Sequence, residues 1–195
     1  LRQLTEKRMS VAEVTRAAPG EKVALPLTAR NVGEVILDVY AIDLLTYFTL
    51  TKDVSRVAEL NLDGIPAAIR KTVVVPGADD MREHRLDVPL PGLEPGVYLV
   101  LARADVRERR GLVIVSDLAA RVWRHPDGVR VLVTDREGHP VRGAFVKIAG
   151  GEALVGEGKT DARGVFEVRG KALADRGGSY TAVVEKSGSF ALTRE

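Results

Sequence analysis

The chain contains no cysteine. That absence excludes disulfides, thiolate metal sites, a cysteine nucleophile and any cysteine-derived thioester within these residues. It does not identify a compartment, because exported proteins also lack cysteine. Aromatic residues make up only 5%, with a single Trp, whereas stacked sugar sites usually show several. No apolar run approaches the roughly 18 residues that cross a bilayer. An excess of one charge sign is missing too: 29 basic and 27 acidic residues are intermixed, for a net charge of +2. A nucleic-acid binder would gather its Lys and Arg on one face. No signal peptide is visible, the chain starts at Leu1 in place of Met, and it stops abruptly after Phe190-Ala191-Leu192. These features read as an internal excerpt of a longer protein, so the missing targeting signal says little about location.

What is present is turn chemistry and alternation. A chain of 195 residues with 19 Gly and 9 Pro is long enough for one large or two small domains. Val23, Leu25, Leu27 and Ala29 fall on one face of a strand, in which Pro26 argues for an edge or a bulge. Val35, Leu37, Val39 and Ala41 alternate with Ile36, Tyr40 and Ile42, so both faces are apolar and a central strand with extra cover is expected. From Leu44 to Leu60 the apolar spacing shifts toward three and four. A short helical segment is expected around 53–60, capped by Asp53 or Ser55. Strands resume at 69–75, 83–88, 97–102 and 112–115, with 105–110 as the last hairpin connection. That makes roughly seven strands. A second series follows from Leu118 through Val129, Val131 and Val133, then Ala144, Val146 and Ile148, to Tyr180, Ala182 and Val184. Strands of about five residues at spacings of about eight to twelve are the pattern of a β-sandwich.

No catalytic constellation emerges. Asp79, Asp80, Glu83 and His84 form the one close group with metal-ligand chemistry, set against a solvated loop and strand start. His125 and His139 sit in turns. Ser116 and Asp117 lack a Gly-x-Ser-x-Gly elbow and fall where one series hands over to the next. Gly156-Glu157-Gly158-Lys159-Thr160 lacks the Walker spacing and opens no helix, so it reads as a strand end. Asp127, Asp135 and Asp161 read as turn caps, with a calcium site between loops as the sharper alternative. Trp123 is a core or packing residue, or an exposed stacking site for sugar. The basic run 103–110, broken by Asp105 and Glu108, reads as a solvated hairpin tip rather than a polyanion site.

The order and spacing of several runs carry a family resemblance. They are Pro95-Gly96-Val97-Tyr98-Leu99-Val100, then Leu112-Val113-Ile114-Val115-Ser116-Asp117-Leu118, then Val131-Leu132-Val133-Thr134-Asp135. Gly138-His139-Pro140-Val141-Arg142-Gly143-Ala144 and Gly158-Lys159-Thr160-Asp161-Ala162-Arg163-Gly164 complete the set. Together with Ala29-Arg30-Asn31-Val32 and Val39-Tyr40-Ala41-Ile42-Asp43-Leu44, the set resembles the bacterial alpha-2-macroglobulin family, in consecutive macroglobulin-like domains of its N-terminal half. The resemblance covers about residues 19–168. Its Gly-x-Pro-Val-x-Gly-Ala and Thr-Asp-x-x-Gly-x-Phe part is also shared with carboxypeptidase-regulatory-like, transthyretin-like and collagen-adhesin B-type sandwiches.

The resemblance implies a protease trap. In that family a bait region is cut, the molecule rearranges, and a Cys–Gln thioester can capture the attacker. With no Cys and no segment that reads as bait, this chain would be scaffold. The expectation is therefore all-β: a macroglobulin-like or fibronectin-III-like sandwich over 1–116 and a second over 117–195, the latter open to truncation at its C-terminus. The function expected is that of a structural fragment of an endopeptidase inhibitor and not an enzyme. Catalytic, cofactor-binding and metal residues: none. Expected partners are neighbouring domains of the same longer chain and, through the full-length protein, host or competitor proteases, with no nucleic acid and no membrane contact. The parent is expected in the periplasm or outside the cell, held by a lipid anchor elsewhere. A non-enzymatic surface or adhesin module, binding protein or carbohydrate, is the alternative, and an enzyme accessory domain the third reading.

Overall fold

Alternation dictates strands, and fifteen of them form among the described residues. The computed structural model describes residues 6–78, 80–105, 107–174 and 178–195. The chain divides into two compact units, one of residues 1–42 and 58–115, the other of residues 43–57 and 116–195. Residues 43–57, which lie inside the expected 1–116 module, therefore group with the second unit.

The first unit contains β1 (Arg8–Val11), β2 (Val14–Ala17), β3 (Val23–Arg30), β4 (Glu34–Ile42), β5 (Ile69–Val74), β6 (His84–Leu90), β7 (Gly96–Ala104) and β8 (Arg107–Val115). Three strands in the order β1-β3-β6 make one sheet, and five in the order β2-β8-β7-β4-β5 make the other. Inward-facing Leu25, Leu27, Val35, Leu37, Val39, Val100 and Val113 are fully or almost fully buried. Each such side chain contributes about 1.5–3 kcal/mol on leaving water. The opposite face of the five-stranded sheet is also covered, since Tyr40, Leu99 and Leu101 cluster with Leu60, Leu62 and Ala67 of the loop after β4. This is the extra cover that the apolar faces of β4 required.

The N-terminal strand changes sheets. β1 pairs antiparallel with β3, whereas β2 runs parallel to β8. The crossing is pinned by Ala12 N–H donating to Pro26 O (3.1 Å) and by Leu112 N–H donating to Glu13 O (2.8 Å). This corrects the reading of Pro26. β3 is the middle strand of its sheet, yet the ladder to β1 ends at Val11↔Leu27, one residue short of Pro26. The N–H that proline lacks faces the side that β1 has just left, so no ladder bond is lost there.

Strand edges are managed as well. β5 ends the five-stranded sheet, and Lys71 opposes the inward Leu37. Its Nζ reaches over to Pro89 O on β6, at 2.8 Å. An inward charge on an edge strand disfavours pairing with another chain.

The hairpin from β7 to β8 corrects the expected tip. The ladder continues through Leu101↔Arg110, Ala102↔Arg109, Arg103↔Glu108 and Ala104↔Arg107. Residues 107–110 are thus strand, and the turn begins at Asp105. Alternation persists there in charged side chains, because each one finds a partner or a solvent-facing exit.

The second unit contains α1 (Leu44–Thr51), β9 (Ala119–His125), β10 (Gly128–Thr134), β11 (Phe145–Gly150), β12 (Ala153–Lys159), β13 (Val165–Arg169), α2 (Lys171–Ala174), β14 (Tyr180–Lys186) and β15 (Ser189–Arg194). Its sheets run β13-β10-β9 and β12-β11-β14-β15. Val129, Val131, Val133, Val146, Ile148, Ala182 and Val184 are fully buried between them. One side of the sandwich is closed by Arg124 of β9. It pairs with Glu195 at 3.0 Å, donates to Gly178 O, and lies 5.2 Å over the Tyr180 ring.

The helix lies earlier than expected. α1 spans Leu44–Thr51, and within 53–60 there is only a 3-10 turn at Val57–Glu59. Asp43 is the cap: its carboxylate accepts from Thr46 N–H at 3.0 Å and from Thr46 Oγ1 at 2.6 Å. Asp53 instead closes a turn onto Ser55, accepting from its N–H at 3.0 Å. Leu44 and Phe48, one helical turn apart, are the buried residues of α1, and the helix packs on β14. Lys147 of β11 donates to Thr49 at 2.8 Å. Val183, which points away from the core of its own sandwich, is nevertheless fully buried.

Candidate functional site

The motif residues of the second unit hold turns. Thr160 is buried, and its Oγ1 accepts from Ala144 N–H at 2.9 Å while donating to Val141 O at 2.6 Å. The Asp161 carboxylate accepts from the N–H of Arg163 and of Val165, at 2.9 and 3.0 Å. These bonds, Val165 N–H foremost, hold its carboxyl below the usual carboxylate range. Gly164 has φ +72, and a Cβ there would meet Val133 O at 2.5 Å. Only glycine suits both demands. Gly156, Gly158 and Lys159 lie within β12.

The acid and histidine groups are local pairs. Asp79 lies outside the described residues. Asp80 and His84 meet at 2.9 Å, and Glu83 lies 3.8 Å from Arg85. The bond to His84 lowers the Asp80 carboxyl. His125 faces Asp127 at 4.0 Å. Ser116 Oγ accepts from Leu118 N–H at 3.0 Å, which closes a turn. Asp135, Glu137 and His139 bring three ligand-type atoms within 4.8 Å of one another on the turn after β10. The alternate spacing of 135, 137 and 139 is the signal in the sequence for this group. His139 N–H and Nδ1 already engage the Asp135 carboxylate, at 2.8 and 3.2 Å.

Trp123 is half-buried on β9 and stands opposite Arg130 of β10, which in turn stands opposite Glu167 of β13. Arg130 and Glu167 pair at 3.2 Å. Trp123, Arg130 and Glu167 thus stand in register across three strands.

Two charged clusters of the first unit were not legible as clusters. In the first, Asp38 of β4 is fully buried, and Arg70 of β5 and Arg103 of β7 both donate to its carboxylate. The Arg70 bond, foremost, holds that carboxyl below its ordinary range against the opposing cost of burial. In the second, a cleft of about 280 Å³ is lined by Glu6, Arg8, Arg30, Glu83, Arg107 and Arg109 among others. Arg8 and Arg30 are direct cross-strand partners on β1 and β3. Arg107 and Arg109 share the inward phase of Val113 and Val115 on β8. Glu6 accepts from Arg8 at 3.0 Å and lies 3.7 Å from Arg107. Its carboxyl is lowered chiefly by the Arg8 bond. The basic run 103–110 is thus divided: Arg103 serves Asp38, Arg110 donates to Ala58 O and Leu60 O at 3.1 and 2.8 Å, and Arg107 and Arg109 line the cleft.

Neither a family model nor a curated protein matches the sequence. Solved structures do match the fold. Native alpha-2-macroglobulin from Escherichia coli spanning domains NIE-MG1 aligns with a TM-score of 0.67 at 15% identity, covering 96% of each chain. A structure of the same protein spanning MG0-NIE-MG1 gives 0.69 at 17% identity, over 96% of this chain and 63% of that one. Salmonella alpha-2-macroglobulin reacted with methylamine gives 0.65 at 14% identity, and there the chain spans only 12% of the longer protein. The all-β fold of this chain is thus similar, over nearly its whole length, to that of the NIE-MG1 segment of Escherichia coli alpha-2-macroglobulin.

Proposed function

We propose that the chain is a structural segment of a bacterial alpha-2-macroglobulin-like endopeptidase inhibitor, non-enzymatic in itself and exported with its parent. The observation that carries this reading is the end-to-end likeness to a two-domain segment, 96% against 96%. The same likeness does not favour the adhesin alternative. The motif residues support a scaffold role: Thr160, Asp161 and Gly164 are committed to turns, and Arg110 anchors the loop after α1. The absence of Cys leaves any thioester chemistry to other parts of the parent.

The test compares the isolated chain with the longer protein that carries it. Each is mixed with an endopeptidase and assayed on a protein-sized and a peptide-sized substrate. The isolated chain is expected to change neither rate. The longer protein is expected to suppress turnover of the protein-sized substrate far more than of the peptide. Inhibition or hydrolysis by the isolated chain, or indifference of the longer protein, overturns the proposal.

A further inference from the structure

The cleft beside β1 brings together side chains that a folded sheet would ordinarily keep apart. Arg8 and Arg30 stand directly opposite each other on neighbouring strands. Like charges in that relation are destabilising. Arg107 and Arg109 reach the same cleft from the other sheet. Among the described residues of the lining, four guanidiniums stand against two carboxylates, Glu6 and Glu83. Ser10 and Thr28, cross-strand partners next to Arg8 and Arg30, add hydroxyls to the lining.

All four cations are arginines. The guanidinium fork suits oxyanions that accept two parallel bonds, which a lysine ammonium does not match. Glu6 shows that an oxyanion is accepted here, since its carboxylate takes bonds from Arg8 at 3.0 and 3.3 Å and approaches Arg107. A planar carboxylate presents its oxygens in one plane. A tetrahedral phosphate presents them to two walls at once, and the cationic groups here come from two sheets.

We propose that this cleft is an anion site for a dianionic phosphate group, with Glu6 as the intramolecular carboxylate that it competes with. The site does not depend on the scaffold reading. The chemistry is that of a phosphate monoester, whether free in solution or borne on a lipid headgroup.

The test is an NMR titration of the whole chain with inorganic phosphate, at constant ionic strength balanced by chloride. Arginine Nε–H resonances are followed alongside the backbone. Saturable shifts are expected at Arg8, Arg30, Arg107 and Arg109. The double variant R107Q/R109Q should weaken binding at least about tenfold, with its fold checked by the unchanged core amides. E6Q should tighten binding about threefold or more, and that arm stands even if the double variant misfolds. Flotation with vesicles of phosphatidylcholine, with and without phosphatidic acid, separates the sources. Retention only on the acidic vesicles identifies a lipid-borne group, and no retention identifies a free one. Shifts spread over basic residues generally, or affinity unchanged in E6Q and in R107Q/R109Q, overturn the proposal.

Discussion

Arg70 on β5 donates through Nε to the carboxylate of Asp38, its direct cross-strand partner on β4, over 2.6 Å. Asp38 is fully buried while the Arg70 side chain is 66% exposed, so the acid alone has been taken out of water. Asparagine in its place removes the negative charge and sets an NH2 donor against one of the two guanidiniums, Arg70 or Arg103, that now donate to the carboxylate. Asp38→Asn is expected to destabilise the first unit by about 1.5–3 kcal/mol at pH 7. The sign with pH follows from the lowered carboxyl of the folded state. The stabilisation is complete above the unfolded value near 3.8 and is lost as pH falls through the lower folded one. Urea denaturation at pH 7 and at pH 2.5 checks this. The gap between wild type and variant should be wide at the first pH and should narrow at the second. An equal gap at both would remove the ionised pair from the account.

Phe48 argues a second expectation. It is fully buried on a helix that packs on β14, in the unit made mostly of residues 116–195. Truncating a buried Phe to Ala costs about 3–5 kcal/mol. Phe48→Ala should therefore weaken the second unit, although residue 48 precedes most of the first. Hydrogen exchange locates the effect: protection should fall across β14, including Val183, and hold in β7. A fragment of residues 116–195 alone should show the same loss, because it lacks α1. Loss confined to β4 and β7 would contradict this assignment.

How far these features were legible depends on the range of the interaction that makes them. Alternation is a property of neighbouring residues, so β3, β4, β7, β10 and β14 could be read directly from the pattern. The extra cover over β4 was readable too, since Ile36, Tyr40 and Ile42 make its second face apolar. The helix was misplaced because Leu44, Leu45 and Phe48 belong to a continuous series of three- and four-residue spacings that runs on to Leu60. Thr46, Thr49 and Thr51 also make it a poor helix by propensity, and packing decides its position. β1 and β2 were harder to read, since residues 1–18 fit either an edge strand around 10–14 or a partly ordered tail. They are four residues each, and only the crossing bonds at Ala12 and Glu13 distinguish them from an irregular tail. Asp38 looked like one more polar residue in a strand, because its partners lie 32 and 65 positions away. The arginine cleft has the same origin: Arg8, Arg30 and Arg107 converge only after both sheets have formed.

Gly111 gives a test of the strand crossing. It is buried on β8, where a Cβ would press directly on the backbone carbonyl of Ala12. A backbone atom cannot rotate aside as a side chain can. Gly111→Ala should therefore cost about 1–3 kcal/mol, as overpacking typically does. Gly20 has open space around its absent Cβ and differs in having φ +80. Gly20→Ala should act through backbone strain alone and spare the crossing. Hydrogen exchange at Leu112, whose N–H donates to Glu13 O, is the measurement: it should quicken in Gly111→Ala and stay slow in Gly20→Ala.

Thr160 separates a hydroxyl from a shape. Its Oγ1 accepts from the buried Ala144 N–H and donates to Val141 O. Valine keeps the branched form of the side chain but offers Ala144 no acceptor. An unsatisfied buried donor costs about 1–3 kcal/mol, whereas the loss of a methyl from the same site leaves both bonds intact. Thr160→Val is thus expected to destabilise the second unit by about that amount, and Thr160→Ser to do so by less. Thermal unfolding of the two variants reads the order. A serine variant less stable than the valine one would mean that packing of the methyl, and not the hydroxyl bridge between the turns, fixes the Thr-Asp-x-x-Gly segment.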